Sequence, residues 1–410
     1  MNADSDAGNP NEDSPIKLGD AIDEIESMAL RYTVLPDPSL ATVVALWIVG
    51  TYAFRHFDYC GYLALRSATP RCGKSRLLRL IGLLANGKPP ITTTPTAAVL
   101  FRAEWPVLLL DEVDALRNQD KEKFSEVLAV LNRGFERGGV VCRADGRNHQ
   151  VSQYEVYGPK ALAGIEALAD TLADRVFHIQ MKRADTRPPR LNPRKAEPTC
   201  ARIRAGVAKW VQLHGNVIEA AYQQLPDVLP DLEQFDDRFQ DISEPLFVLA
   251  ALADSERPER PTVRARLLRG LFAAAGSREP SSRERTISIL LELFDERIGN
   301  QADIFLPSDD ILDLCKERED LSHIETSRKL AALLKLIELR PIPNGKKRGY
   351  RLNRSWVEEW RKRYPGVMPT RTLAESFQLD DGGGATVKAS KGQCQSVDSI
   401  HIDVSSDVAG

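Results

Sequence analysis

The sequence lacks the paired cysteines of a zinc or dithiol site. Its cysteines are scattered, and no two of them stand in a C-x-x-C pair. Isolated thiols in a chain of 410 residues favour a reducing compartment, so we expect a cytoplasmic protein without structural zinc. The six positions are Cys60, Cys72, Cys142, Cys200, Cys315 and Cys394.

Long apolar runs and a leader-like segment are also missing. The most apolar stretch, residues 40–54, is shorter than the ~18 residues that a membrane span needs. We expect a buried core helix there and no membrane partner. Residues 1–15 are polar and acidic, without the basic and apolar regions of a signal peptide, and are predicted to be disordered.

The chain has no excess of positive charge. Its formal net charge is −3, so a nucleic-acid site would have to be a local basic patch. Internal repeats are absent as well. The length predicts two or three domains, and an apolar fraction of 42% is ample for their cores.

The most informative stretch reads ATPRCGKS, from Ala68 to Ser75, between an apolar run and a helix-like run. In the phosphate-loop pattern G-x-x-x-x-G-K-[ST], backbone N–H groups wrap the phosphates, lysine reaches the β and γ phosphates, and the hydroxyl binds Mg²⁺. Gly73, Lys74 and Ser75 fit the pattern, whereas Ala68 replaces its first glycine. A chance turn before a helix is the alternative for this stretch alone.

A second stretch, PVLLLDEVD at residues 106–114, has the character of a buried parallel strand that ends in carboxylates. Ligands bind beyond the carboxyl ends of such strands. Asp111 is predicted to hold Mg²⁺ and Glu112 to polarise the attacking water. By itself the stretch also fits a buried strand that ends in a solvated acidic turn.

Together, in this order, the two stretches predict a nucleotide site. The chain has no N-K-x-D or T-K-x-D motif that would read guanine, so ATP is preferred over GTP. The residues predicted to hold ATP are Ala68, Thr69, Pro70, Arg71, Cys72, Gly73, Lys74 and Ser75, with Mg²⁺ on Ser75 and Asp111.

Apolar periods alternate between strand and helix up to about residue 181, which predicts a parallel α/β sheet. Asp145–Gly146 between two β-rich runs predicts a hairpin. A proline-rich linker at residues 187–193 precedes a helical region. Near the carboxyl terminus, two helices and a small hairpin resemble a winged helix.

The phosphate loop, the DE strand, an arginine near the end of the sheet and the following helices resemble the AAA+ ATPases. The runs GPKALAGI, TLADRV and GYRLNRSW also look like an uncharacterised domain family, found in putative ATPases of phage, plasmids and integrated elements. The similarity covers about Ile22–Tyr364. It implies an α/β fold, with a parallel-sheet P-loop core, a helical lid and a winged-helix-like domain.

The expected domains follow from these features. They are a disordered tail at 1–16, an N-terminal helical segment at 17–60, a P-loop ATPase core at 61–186, a helical lid region at 187–296, a winged-helix-like domain at 297–366 and a flexible tail at 367–410.

The resemblance assigns three further catalytic residues. Lys160 stands near the sensor-1 position, where such ATPases usually have Asn or Thr; a surface lysine at a strand start is the alternative. Arg175 matches an arginine finger that acts on a neighbouring subunit, or it forms a structural pair with Asp170 or Asp174. Arg238 looks like a sensor-2 arginine that opens a lid helix, or it is a solvated arginine.

Two basic regions are candidates for nucleic-acid contacts. The predicted hairpin carries Arg143, Arg147 and His149, and replicative helicases of the resembled class aim such a hairpin into a central channel. A plain surface hairpin competes with this interpretation.

The winged-helix candidate is the second region. Its wing carries Lys346, Lys347 and Arg348 beside Tyr350, and its recognition helix carries Arg328. Wings of this kind contact phosphates. A solvated charged turn in a protein-binding winged helix is the alternative.

The sequence therefore predicts an ATP-hydrolysing motor that acts on DNA, single-stranded or duplex, in the replication or maintenance of a mobile element. A finger that acts in trans implies a homo-oligomer, such as a ring. Helicase activity stays open. The alternatives are a nucleotide-switched regulator that binds DNA or protein, and an ATP-driven loader or remodeller of a protein partner.

Overall fold

A computed structural model describes residues 16–67, 69–93, 95–102, 105–113, 120–144, 151–164, 170–183, 186–278, 282–345 and 347–364. These residues form two compact units. The first runs up to Arg278, and the second contains the described residues from 282 onward. The tails expected at 1–15 and 367–410 lie outside the described residues.

A five-stranded parallel sheet forms the centre of the first unit, as the sequence predicts. Its strand order is β2-β3-β6-β1-β7. Because all five strands are parallel, their carboxyl ends lie at one edge of the sheet, the carboxyl edge, and their starts lie at the opposite amino edge. The strands of this unit are β1 Tyr62–Arg66, β2 Ile91–Thr93, β3 Leu108–Asp111, β4 Val140–Ala144, β5 Val151–Glu155, β6 Lys160–Gly164 and β7 Val176–Gln180.

The three inner strands β1, β3 and β6 are almost continuously apolar and buried. Strands covered on both faces have this composition, because side chains that alternate to either face both meet the core. The helices that cover the sheet and complete the unit are α1 Leu18–Tyr32, α2 Leu40–Ala53, α3 Lys74–Leu84, α4 Ala97–Arg102, α5 Lys121–Arg133, α6 Asp170–Ala173, α7 Pro193–Gln223, α8 Asp237–Ser255 and α9 Val263–Gly276.

Helix α2 is a core helix, as its composition predicts. It is buried around nearly its whole circumference and packs against α1, α7, α8 and α9. Among the described residues, no helix is both long and apolar enough to cross a membrane.

An ion-pair network fastens α1 to the segment between α8 and α9. The guanidinium of Arg257, whose side chain is only 6% exposed, lies 3.0 Å from Asp20 and 2.7 Å from Asp23. Arg266 also pairs with Asp23. A Cβ atom at Gly19 would lie 2.2 Å from Nε of Arg257, so only glycine leaves room for this guanidinium against the helix.

Strands β4 and β5 form a separate two-stranded antiparallel sheet. The predicted hairpin is therefore confirmed as a strand pair. Ala144 and Val151 are the last paired residues, and the connecting residues 145–150 lie outside the described residues. Val140, Cys142 and Val151 are exposed on the outer face of this hairpin, whereas the inner face is half-buried.

The second unit has its own apolar core and a three-stranded antiparallel sheet in the order β8-β10-β9. Strand β8 was not predicted from the sequence. The elements are α10 Ser282–Ile298, β8 Asp303–Pro307, α11 Ser308–Glu317, α12 Ser327–Leu336, β9 Ile342–Asn344, β10 Lys347–Asn353 and α13 Arg354–Arg363.

The boundary expected at residue 297 is wrong. Helix α10, which was assigned to the lid region, packs against α13 and buries Leu290, Leu291 and Phe294 in the second core. The second unit therefore includes the whole of α10, because its apolar face is covered there.

Candidate functional site

The stretch ATPRCGKS connects the carboxyl end of β1 to the start of α3. Helix α3 begins at Lys74, and the preceding Gly73 has a φ of +94°. Arg71 also has a positive φ, of 67°. This region of backbone space is uncommon for residues other than glycine. The loop thus makes two left-handed bends immediately before the helix, while Ala68 lies outside the described residues.

These bends leave backbone donors available at the helix start. The amides of Arg76 and Leu77 donate to the Gly73 carbonyl. Within the described part of the chain, no backbone acceptor takes the amides of Gly73, Lys74 and Ser75. Free amides at a helix N-terminus, together with the positive end of the helix dipole, bind anions. Six loop residues are exposed or half-exposed, namely Thr69, Pro70, Arg71, Gly73, Lys74 and Ser75, whereas Cys72 is buried.

The loop lysine is held by a neighbour that the sequence did not single out. Lys74 Nζ donates a hydrogen bond to the hydroxyl of Ser67, which directly follows β1. The Ser67 hydroxyl donates to the carbonyl of Thr69 at 2.6 Å. Ser67 is buried, so these two hydrogen bonds lie on the inside of the loop.

Asp111 and Glu112 lie at the same edge of the sheet as the loop. Leu65 pairs with Ala163 of β6, and Leu110 pairs with Leu162, so Asp111 is level with the end of β1. The carboxylate of Asp111 accepts from the Glu112 amide at 3.0 Å. Glu112 is exposed and has a φ of +56°, a strained conformation that turns the chain sharply out of β3.

The donors at this edge fit Mg²⁺ when a phosphate supplies further ligands. Asp111 is partly exposed and Ser75 is exposed in the first turn of α3. Among the described residues, no group of three or more His, Cys, Asp or Glu side chains could hold a metal alone. Mg²⁺ characteristically uses one or two carboxylates, waters and phosphate oxygens, so the chain's sparse donor set is compatible with it.

Lys160 lies elsewhere, and the sensor-1 assignment does not fit its position. It is the first residue of β6 and is level with Leu108, so it stands at the amino edge. Its Nζ is buried and donates to the carbonyls of Val156 and Gly158, both at 2.8 Å, and of Gly134 at 3.2 Å. The surface-lysine alternative is equally wrong, because these carbonyls replace water around the ammonium.

The carboxyl end of β6 is Gly164, which lies between the ends of β1 and β3. A residue that sensed the nucleotide from β6 would have to follow Gly164. Residues 165–169 lie outside the described residues.

Arg175 also stands at the amino edge, just before β7. Its carbonyl accepts from the Tyr62 amide at the start of β1. Its guanidinium donates to the Thr171 carbonyl and lies 4.8 Å from the centre of the Phe135 ring. Burial lowers the pKa of Arg175, and the positive charge of the nearby Arg238 lowers it further. This position is far along the strands from the phosphate loop of the same chain.

Arg238 does not reach the loop, so the structure does not support a sensor-2 role within one chain. Its guanidinium lies 3.6 Å from the carboxylate of Asp174, beside Arg175. Arg278, which the sequence analysis missed, lies 3.0 Å from the same carboxylate. Asp174 therefore lies within ion-pair distance of one arginine on α8 and of another just after α9, at the amino edge.

The basic residues of the hairpin are only partly described. Arg143 is half-buried on the inner face, 5.5 Å from the centre of the Phe101 ring and 3.9 Å from Glu126. Arg147 and His149 lie outside the described residues, in the segment between β4 and β5. The structure thus gives Arg143 a packed position on the inner face of the hairpin, one pair before its last paired residues.

In the second unit, basic side chains cover α12 and the β9–β10 wing. Arg328, Lys335, Lys347 and Arg348 are exposed and form no ion pair with any described residue. Lys346 is outside the described residues. Tyr350, the aromatic residue beside these basic positions, is 1% exposed and belongs to the core of the unit.

Comparison with known proteins adds no family to these sites. No protein-family model matches the sequence, and no curated protein is significantly similar to it. The function therefore has to be inferred from the residues at the two edges of the sheet.

Proposed function

We propose that the protein is an ATP-hydrolysing P-loop ATPase of the AAA+ kind that acts on nucleic acid in the replication or maintenance of a mobile element. One observation carries the ATPase part. The loop with Lys74 and the Asp111–Glu112 pair leave different strands at the same carboxyl edge of a parallel sheet. Open α/β sheets bind their ligands outside this edge.

The roles of the residues follow from their chemistry. The amides at the start of α3 and the Lys74 ammonium would neutralise the phosphates, because charge-assisted hydrogen bonds are strong. Glu112 would orient the attacking water. Ser75 and Asp111 would hold Mg²⁺, which neutralises developing charge when it is bound. Phosphoryl transfer needs little more than positioning and charge stabilisation, and this edge offers both.

The strand order supports the same proposal. Strand β1, which leads into the loop, has β6 and β7 as neighbours, and β3 lies beyond β6. The loop therefore follows an inner strand of the sheet, with the acidic strand two positions away. We assign residues 62–180 to the P-loop core and α7–α9 to the helical region that follows it.

Arg175 supports an assembly of several copies. It stands at the edge opposite the loop of its own chain, so it would act only on a nucleotide that a second copy binds. We propose a homo-oligomer in which Arg175 serves the neighbouring site. A closed ring would give every site such an arginine.

The second unit supports the nucleic-acid part. It runs helix, strand, helix, helix, strand, strand, as in a winged helix, and ends with the further helix α13; its first and last strands pair. Most of its other cations have carboxylate partners, including Arg318, Lys329 and Arg361. The uncompensated charge on α12 and the wing is suited to phosphates.

The decisive experiment is the rate of ATP hydrolysis with no nucleic acid, with single-stranded DNA and with duplex DNA. A motor is expected to hydrolyse ATP faster on DNA and to sediment as an oligomer. Slow, DNA-independent hydrolysis with nucleotide-dependent DNA affinity would instead support the switch. Stimulation by a protein partner alone would support the loader. No ATP binding would refute all three.

A further inference from the structure

We infer that four side chains along the inner face of the hairpin form a binding site for unpaired bases and their phosphates. Phe101 and Arg102 come from α4, Arg143 from β4 and Tyr154 from β5. We call them the arginine–aromatic cluster. The inference rests on the nucleic-acid part of the proposed function and adds a location and a preference for single strands.

The four side chains contact one another through a tilted pair of rings and three cation–π contacts. The rings of Phe101 and Tyr154 have their centres 4.6 Å apart. The guanidinium of Arg102 lies 5.9 Å from the centres of both rings, and that of Arg143 lies 5.5 Å from Phe101. These cation–π contacts restrict the rotamers of both arginines before a ligand arrives, which lowers the entropy cost of binding.

The hydrogen-bonding capacity of these arginines is largely unused. Arg102 is exposed and forms no hydrogen bond or ion pair with any described residue. Arg143 has one carboxylate nearby, Glu126 at 3.9 Å, and both side chains are substantially exposed, at 41% and 61%. Such a pair contributes little in water. Each guanidinium can therefore donate to a phosphate while its flat face remains available.

Flat guanidinium and aromatic faces suit bases that are not stacked in a duplex. A base can stack on an arginine plane or an aromatic ring only after it leaves its neighbours in the helix. Arg257 is buried and closely paired, whereas Arg102 is exposed without a carboxylate partner among the described residues and Arg143 has only an exposed one at 3.9 Å. The cluster is half-exposed and carries two positive charges. An unpaired stretch of nucleic acid matches both properties.

The test compares Tyr154→Leu and Arg102→Gln with the wild-type chain. Affinities for a labelled oligothymidylate and for an equally long duplex are measured by fluorescence anisotropy at several salt concentrations. Tyr154→Leu is expected to weaken single-strand binding about tenfold with an unchanged salt slope, because it removes a stacking surface without removing charge. Arg102→Gln is expected to weaken single-strand binding and to reduce the slope of log affinity against log salt concentration by about 0.7. Tyr154→Phe should bind like wild type.

Arg202→Gln provides the matched control, because Arg202 is an exposed arginine on α7 that pairs with Glu24. It should leave both affinities unchanged. Arg102 is exposed at the end of α4, so its substitution tests the cluster even if Tyr154→Leu fails to fold. Wild-type single-strand affinity in both variants would overturn the inference while the proposed function stands. Failure of the wild-type chain to bind either oligonucleotide would refute the nucleic-acid role itself.

Discussion

The ammonium of Lys74 is hydrogen-bonded to the hydroxyl of Ser67, across the inside of the loop that follows β1. The Ser67 hydroxyl in turn donates a hydrogen bond to the carbonyl of Thr69. The lysine is therefore held in the loop before any phosphate arrives. Because the Ser67 hydroxyl is neutral, a phosphate oxygen would be the stronger acceptor and would take the ammonium from it.

The first prediction separates nucleotide binding from hydrolysis. Lys74→Ala is expected to abolish ATP binding, because it removes the cation that reaches the β and γ phosphates. Glu112→Gln should keep binding but lose hydrolysis by about 10²-fold or more, since it removes the water-positioning carboxylate. Titration calorimetry and phosphate release measure the two steps. Hydrolysis at the wild-type rate in Glu112→Gln would show that another residue positions the water.

The second prediction concerns action between copies. Arg175→Ala should bind ATP and hydrolyse it ~10³–10⁵-fold more slowly. Mixed with Lys74→Ala, it should regain part of the activity, because each chain supplies what the other lacks. Arg133→Ala, which removes an exposed arginine paired with Glu136, is the control. Full activity in a strictly monomeric protein would contradict the prediction.

The third prediction uses the buried lysine at the amino edge. Burial lowers the pKa of Lys160 to about 7, whereas an unfolded lysine titrates near ~10.4. Between these values the unfolded chain holds a proton that the folded chain has released, so the contribution of Lys160 to the free energy of unfolding rises with pH. Denaturant titrations from neutral to alkaline pH measure this rise.

Lys160→Met should remove that pH dependence. It should also lower the stability by roughly 1–3 kcal/mol at alkaline pH, because the neutral amine still donates its two N–H groups to the buried carbonyls, whereas methionine donates none. A difference between wild type and variant that does not change with pH would mean that Lys160 stays protonated in the folded protein.

The fourth prediction compares two arginines that both pair with α1. Arg257→Ala should destabilise the protein by roughly 1.5–3 kcal/mol, because it removes a nearly buried guanidinium and its charged hydrogen bonds to Asp20 and Asp23. Arg202→Ala, which breaks the exposed pair with Glu24, should cost less than about 1 kcal/mol. Thermal unfolding of the two variants measures the difference. Equal effects would show that burial does not set the strength of these pairs.

The fifth prediction divides DNA binding between the two units. Arg147→Ala in the segment between β4 and β5 should weaken DNA binding for all sequences. It should also reduce the slope of log affinity against log salt concentration by about 0.7–0.9. It should reduce DNA-stimulated hydrolysis and leave the basal rate unchanged. Lys347→Ala in the wing is measured beside it. A change in salt slope for Lys347→Ala alone would move the DNA site to the second unit and support the switch.

The parallel sheet and the position of α2 could be predicted because they depend on local composition. Buried parallel strands are apolar throughout, and a helix buried on all sides has no polar face. The two ends of a strand are harder to assign. Lys160 looked like a sensor residue because it belongs to the correct strand, but it begins that strand and so lies at the wrong edge.

Contacts between distant parts of the chain decided the remaining differences. Helix α10 looks like the end of the lid region in sequence, yet its apolar face packs against α13, more than fifty residues later. Strand β8 is a short segment that ends in Pro307, so its composition does not indicate a strand. The gathering of Arg238 and Arg278 around Asp174 likewise depends on how three elements pack.

The outer face of the hairpin places one thiol where reagents can reach it. Cys60, Cys72, Cys200 and Cys315 are buried, while Cys142 on β4 is exposed. Cys394 lies outside the described residues and can be changed to serine. A maleimide dye should then attach at Cys142 in preference to the buried thiols. Its fluorescence would report the surroundings of the hairpin as nucleotide or DNA is added, without a newly introduced cysteine.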